Sequence, residues 1–107
     1  MNCKIRLTAT AKKDLRDIAV YITEQTKNKN VALEFVKELQ EKCKILEMFP
    51  KSGSVPQDRV IASLDYRYLV YKSHLLFYEY RKEENTAYIL AVFNAKRDYV
   101  RVMKKFL

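Results

Sequence analysis

Tyr66-Arg67-Tyr68-Leu69-Val70-Tyr71 decides the fold, because here aromatic and branched residues begin to crowd together along the chain. Such side chains favour a pleated, half-buried backbone. Two runs of the same kind follow, Leu75 to Arg81 and Ala87 to Phe93, set apart by Lys72-Ser73 and by Lys82-Glu83-Glu84-Asn85. Links this short suit antiparallel neighbours, since a parallel pair needs a crossover of roughly a dozen residues or more. The three runs predict a meander, to which Val60 to Leu64 is expected to add a short strand.

Toward the N-terminus the period changes. Ala11, Leu15, Ile18, Ala19 and Ile22 form one stripe of an amphipathic helix ending near Thr26, with Thr8 placed to cap it. After the polar turn Lys27-Asn28-Lys29-Asn30, a second stripe runs through Ala32, Phe35, Val36, Leu39, Cys43 and Leu46. Pro50 restricts the residue before it and puts the stop near Met48. The short turn makes the two helices an antiparallel hairpin. Ahead of it, Lys4 to Leu7 alternates as a half-buried or edge strand does.

Lys51 to Pro56 is the loop-rich stretch, and Lys96 to Phe106 has a short helical period through Tyr99, Val100 and Met103. The reading is a single α+β domain over 1–107. It has an N-terminal strand, an antiparallel helical hairpin, a three- to four-stranded antiparallel meander and a short basic C-terminal segment. With the helices on one face of the sheet, the other face is expected to be left free for function.

Composition excludes several classes. A single glycine, Gly53, cannot write a dinucleotide fingerprint or a phosphate-cradling loop. Two cysteines, Cys3 and Cys43, and one histidine, His74, fit neither a disulfide framework nor a zinc site, so no metal and no cofactor is expected. There is no apolar run long enough for a membrane and no secretory signal at the start, so a cytoplasmic protein with no membrane partner is expected. The formal charge is +8, and Lys96, Arg97, Arg101, Lys104 and Lys105 stand against Asp98 alone in the last segment. A patch of that kind attracts polyanions, either nucleic acid or an acidic protein, or is a solubilising surface.

The candidate chemistry lies in Arg67, Lys96, Arg97 and Tyr99, with Tyr71, Arg81 and Arg101 as outer, substrate-binding candidates. Cutting RNA without a metal requires charge stabilisation at the phosphate, a proton acceptor and a proton donor. An arginine fork holds two phosphate oxygens at once, a lysine adds a point charge, and a tyrosine among cations can move a proton. Each residue also has a plainer reading. An arginine in a strand is usually an exposed cross-strand partner, and tyrosines in a half-exposed sheet are usually packing residues. His74 falls in the expected hairpin turn and reads as a surface residue. Asp14, Asp17, Glu34, Glu38 and Glu41 read as solvated helix faces.

The order of residues resembles the RelE/ParE toxins. The matching blocks are Leu7-Thr8 with Ala11, Asp14-Leu15, Ile18 and Tyr21-Ile22; then Ala32, Phe35, Leu39 and Leu46 with Phe49-Pro50 and Gly53. Asp65 to Tyr71 follows, and Phe93 with Lys96-Arg97-Asp98-Tyr99 closes the set. The resemblance implies a toxin neutralised by a cognate antitoxin, touching operator DNA only through that partner. RelE-like members cut mRNA on the ribosome, and ParE-like members poison DNA gyrase without being enzymes. In the first branch the active-site cations map onto Arg67, Lys96 and Arg97. The terminal tyrosine of that branch is replaced by Met103, leaving Tyr99 as its substitute. The helical hairpin ending in Pro50 and Gly53 is more like the ParE branch, whereas Lys96-Arg97-Asp98 is at least as much like the RelE branch. The leading expectation is a growth-inhibiting toxin acting by RelE-like mRNA cleavage. ParE-like gyrase poisoning is the alternative, and a basic nucleic-acid-binding module or inactive toxin relic comes third.

Overall fold

The computed structural model describes residues 2–107. Strand β1 (Lys4–Leu7) leads into helices α1 (Ala9–Thr26), α2 (Lys29–Cys43) and α3 (Ile45–Met48). After a loop come α4 (Arg59–Ser63), β2 (Tyr66–Tyr71), β3 (His74–Arg81), β4 (Thr86–Asn94) and α5 (Tyr99–Met103), which runs on into a tight turn at Lys104–Phe106.

The caps explain the helical hairpin. The Thr8 hydroxyl accepts from the Ala11 N–H at 3.1 Å, an N-cap of the kind whose removal costs about 1 kcal/mol. Lys27 takes the left-handed conformation (φ 56°) and returns its N–H to the Thr23 carbonyl at 2.8 Å, ending α1. Asn28 starts α2 by accepting from the Asn30 N–H at 2.9 Å. The second helical stretch stops at Met48 as Pro50 demands, with a break after Cys43.

The sheet order is β1-β4-β3-β2. The three later strands form the expected antiparallel meander, and β1 joins β4 in parallel, so the sheet is mixed. One ladder is irregular: Phe77 faces Ala91 and Tyr78 faces Ile89, which leaves Leu90 unopposed. This bulge lets Ala87, Ile89 and Val92 turn to the helical hairpin while Leu90, Ala91 and Phe93 turn the other way. Beyond the end of β1, the side of β4 that it leaves open is closed by α1. The Thr8 hydroxyl donates to the carbonyls of Ile89 and Leu90, and the Val92 N–H donates to the Asp14 carboxylate at 3.0 Å. Asp14 is therefore not a solvated helix residue. It fills a place in the ladder that a strand would otherwise fill.

Two cores result, one on each face. Leu15, Leu39, Cys43 and Leu46 of the hairpin pack on Leu69, Leu76, Tyr78 and Ile89. On the opposite face Phe77, Leu90, Ala91 and Phe93 are covered by Ile61 of α4 and Met103 of α5. The second face is thus not left free, contrary to the expectation. The meander is apolar on both sides, and burying Phe77 alone is worth about 2 kcal/mol or more, so the chain supplies a cover.

That cover corrects a second expectation, because Val60 to Leu64 is a helical turn rather than a strand. Asp58 accepts from the Ile61 N–H at 3.0 Å, and this cap overrides the strand preference of Val60 and Ile61. His74 is likewise not a turn residue. It opens β3 half-buried, its ring edge-on to Phe35 at 5.2 Å, and burial lowers its pKa. Among the described residues no helix is long and apolar enough to cross a membrane.

Candidate functional site

The structure distributes the sequence-predicted site residues over three places. At the start of β2, Arg67 lies on the hairpin side of the sheet with Leu69 and Tyr71, by the alternation of the strand. Its Nη1 donates to the Gly53 carbonyl at 3.1 Å. The same loop is held from beneath by Tyr78, whose buried hydroxyl donates to the Pro50 carbonyl at 2.8 Å and accepts from the Gly53 N–H at 2.9 Å. A side chain at Gly53 would meet the Tyr78 ring and hydroxyl at 2.6 Å, so the single glycine is required by this close approach. Burial pushes the Tyr78 phenol above its ordinary pKa, which keeps it protonated for both contacts.

Arg81 shares a depression of about 350 Å³ with Arg67, but both of its ends are engaged. It pairs with Glu79 at 2.8 Å and Glu84 at 3.5 Å, and its guanidinium lies 5.1 Å from the Tyr88 ring centre. The second place is the end of β2. Tyr71 donates to the Glu38 carboxylate, stands edge-on to Phe35 at 5.4 Å and lies under Lys72. That hydrogen bond is the main cause raising the Tyr71 pKa and lowering that of Glu38, so Glu38 is a fixed partner rather than part of a solvated face.

The third place is the C-terminal end. Lys96 and Arg97 sit in the turn after β4, both exposed, with Arg97 5.9 Å from the Phe93 ring centre. Tyr99 begins α5 and serves the fold: its ring stacks on Phe77 at 5.7 Å, and its hydroxyl accepts from the Asp58 N–H at 2.8 Å. Arg101 faces a depression of about 580 Å³ with Arg97, Asp98, Val102 and Lys105.

Arg67 and the C-terminal group do not converge. Arg67 stands opposite Tyr78 and hence level with Ile89, whereas Lys96 and Arg97 follow the end of β4 at Asn94. That stretch of strand is about 16 Å long at roughly 3.3 Å per residue. Tyr99 also packs on the other face of the sheet from Arg67. Lys105 is the contributor to the C-terminal depression that sequence reasoning did not single out, although the basic run of the last segment pointed to it. The thiols offer little chemistry, since both are buried and burial pushes Cys43 up to about 11. No group of three or more His, Cys, Asp and Glu gathers among the described residues.

A third surface is apolar. A groove of about 580 Å³ runs between β1 and α2, lined by Ile5, Leu7, Leu39 and Cys43, with Lys4, Arg6 and Lys44 also along it. Lys4 gives its N–H to the carbonyl of Asn85, just before β4, and Thr8 gives its own to Ile89 within β4, so alternation turns the backbone of Ile5 and Leu7 outward at the open edge of the sheet.

Comparison with known proteins completes the picture. Several solved toxins share the fold. A chromosomal ParDE system from P. aeruginosa superposes with a TM-score of 0.71 at 18% identity, covering 86% of this chain and 95% of that one. A RelBE toxin–antitoxin complex from Mycobacterium tuberculosis gives 0.57 at 22%, covering 88% and 99%. Free E. coli RelE carrying two arginine-to-alanine changes gives 0.59 at 18%, covering 100% of both chains. Identities this low establish the fold alone. No curated protein matches the chain closely. The model of the ParE toxin of the type II toxin–antitoxin system parDE matches residues 5–99, nearly the whole chain. The chain belongs to that family: it is a ParE-family toxin of a type II toxin–antitoxin system.

Proposed function

We propose that this toxin stops growth in the ParE manner, by binding DNA gyrase without an enzymatic step of its own, rather than by cutting mRNA. The observation that carries this reading is the separation of Arg67 from Lys96, Arg97 and Tyr99. Metal-independent RNA cleavage needs a cation, an acceptor and a donor within hydrogen-bond reach of one phosphate. Here Arg67 is bonded to the Gly53 carbonyl, and the Tyr99 hydroxyl is committed to Asp58. What the geometry offers instead is contact surface. The basic C-terminal end faces the target. The groove beside β1, with its open edge and its basic residues, suits an extended acidic and apolar segment of the cognate antitoxin.

Antitoxin-free toxin tests the reading in two assays run side by side. Gyrase supercoiling should be inhibited, and a cell-free translation reaction should show no new mRNA 5′ ends. Arg67→Ala should keep full toxicity in cells. Translation-dependent cuts that disappear in Arg67→Ala would establish the RelE-like ribonuclease instead.

A further inference from the structure

The C-terminal cations are gathered in one short segment that holds a single acid. Lys96, Arg97, Arg101, Lys104 and Lys105 are all exposed, and none stands within ion-pair distance of a carboxylate among the described residues. The one acid of the segment, Asp98, is occupied in capping α5, where it accepts from the Val100 N–H at 3.1 Å. Arg97, Arg101 and Lys105 gather around a single depression, and the segment that carries them is fixed. Met103 is fully buried, and Tyr99 is held by both Phe77 and Asp58.

The lining indicates the partner. Protein hot spots are built on aromatic or apolar anchors in desolvated pockets. Besides Asp98, the depression offers only the half-buried Val102 among its cations. Guanidinium forks matched to paired oxygens, with lysine as a point charge, suit a phosphodiester backbone. Duplex DNA presents about one negative charge per 1.7 Å of axis. We propose that this surface binds the phosphate backbone of duplex DNA. The toxin would then grip its target as a protein–DNA complex and touch the DNA itself; that last step rests on the gyrase reading, whereas the DNA contact does not.

The test is fluorescence anisotropy of a short mixed-sequence duplex titrated with full-length, antitoxin-free toxin over a range of salt. The Arg101→Glu/Lys105→Glu variant should weaken binding at least about tenfold at low salt and flatten the log–log salt slope by about two, since each phosphate contact contributes about 0.9. Lys12→Glu/Arg16→Glu, on the exposed side of α1, makes the same change in net charge and should alter affinity by no more than about twofold. Equal weakening in both variants would reduce the effect to net charge and overturn the proposal. Tighter binding of single-stranded RNA or polyglutamate than of the duplex would overturn it as well. Gyrase supercoiling is measured on the same preparations. Inhibition by a wild-type toxin with no duplex affinity sinks the DNA contact and leaves the gyrase reading. Variant-sensitive duplex binding without any inhibition does the reverse.

Discussion

At the end of the sheet where β2 begins, Arg67 gives a donor to the Gly53 carbonyl and Arg81 is held between Glu79 and Glu84. At the end where β4 runs out, Arg97, Arg101 and Lys105 face water beside a carboxylate that is occupied elsewhere. Each of these cations counts equally toward the charge of +8. The first group is part of the scaffold, its donors committed to a loop and to neighbouring acids. The second group has not given up its donors and can offer all of them to a partner. Net charge describes how strongly a chain attracts a polyanion. Which cations take part depends on what else they are bonded to.

The contrast breaks first, if it breaks, at Gly53. Gly53→Val puts atoms where the Tyr78 ring and hydroxyl already stand and should cost about 3 kcal/mol of unfolding free energy in urea titration. A variant as stable as the parent would mean the loop is not latched and Arg67 is free to move. The next test compares like with like. Arg67→Ala leaves the part-buried Gly53 carbonyl with one bond fewer and should cost about 1 kcal/mol, whereas Arg101→Ala should fall within about 0.5 kcal/mol of the parent. Equal losses would erase the distinction between a scaffold cation and a free one.

The smallest effect is a pH dependence at His74, beside Phe35 near the C-terminal turn. Burial lowers its folded pKa below 6.5, so the unfolded chain takes up the proton first. Stability is complete above pH 6.5 and declines as pH falls through the window beneath it. His74→Gln should flatten that decline in thermal melts between neutral and mildly acidic pH. A decline of unchanged slope would move the titration to another group.

Much of this fold was legible because its signals are local. The stripes from Ala11 to Ile22 and from Ala32 to Leu46, the cap at Thr8 and the stop before Pro50 each lie within a few residues of what they control. The meander could be read for the same reason, its turns being only a few residues long. What escaped depends on distant partners. Val60 and Ile61 look like strand, and the residue that overrides them, Asp58, is itself held by Tyr99 from the far end of the chain. Asp14 looks like a solvated acid until β4 brings the Val92 N–H to it. The site had the same weakness. Residue types at Arg67, Lys96, Arg97 and Tyr99 suit phosphate chemistry, but their distances depend on a sheet register that no short window contains. The apolar residues on both sides of β2 to β4 were the one available sign that the second face would be covered.

The parallel pairing of β1 with β4 also sets the order of events during synthesis. Strand β1 (Lys4–Leu7) leaves the ribosome well before its partner strand, β4 (Thr86–Asn94), has been made. The helical hairpin can form early, but nothing can yet occupy the place beside β1, and contacts this distant in sequence are slow to close. The α5 part of the cover over the second face, from Tyr99 onward, is translated later still. A chain built this way cannot complete its sheet before β4 is made, so the groove beside β1 and the basic surface beyond β4 take their finished form together and late.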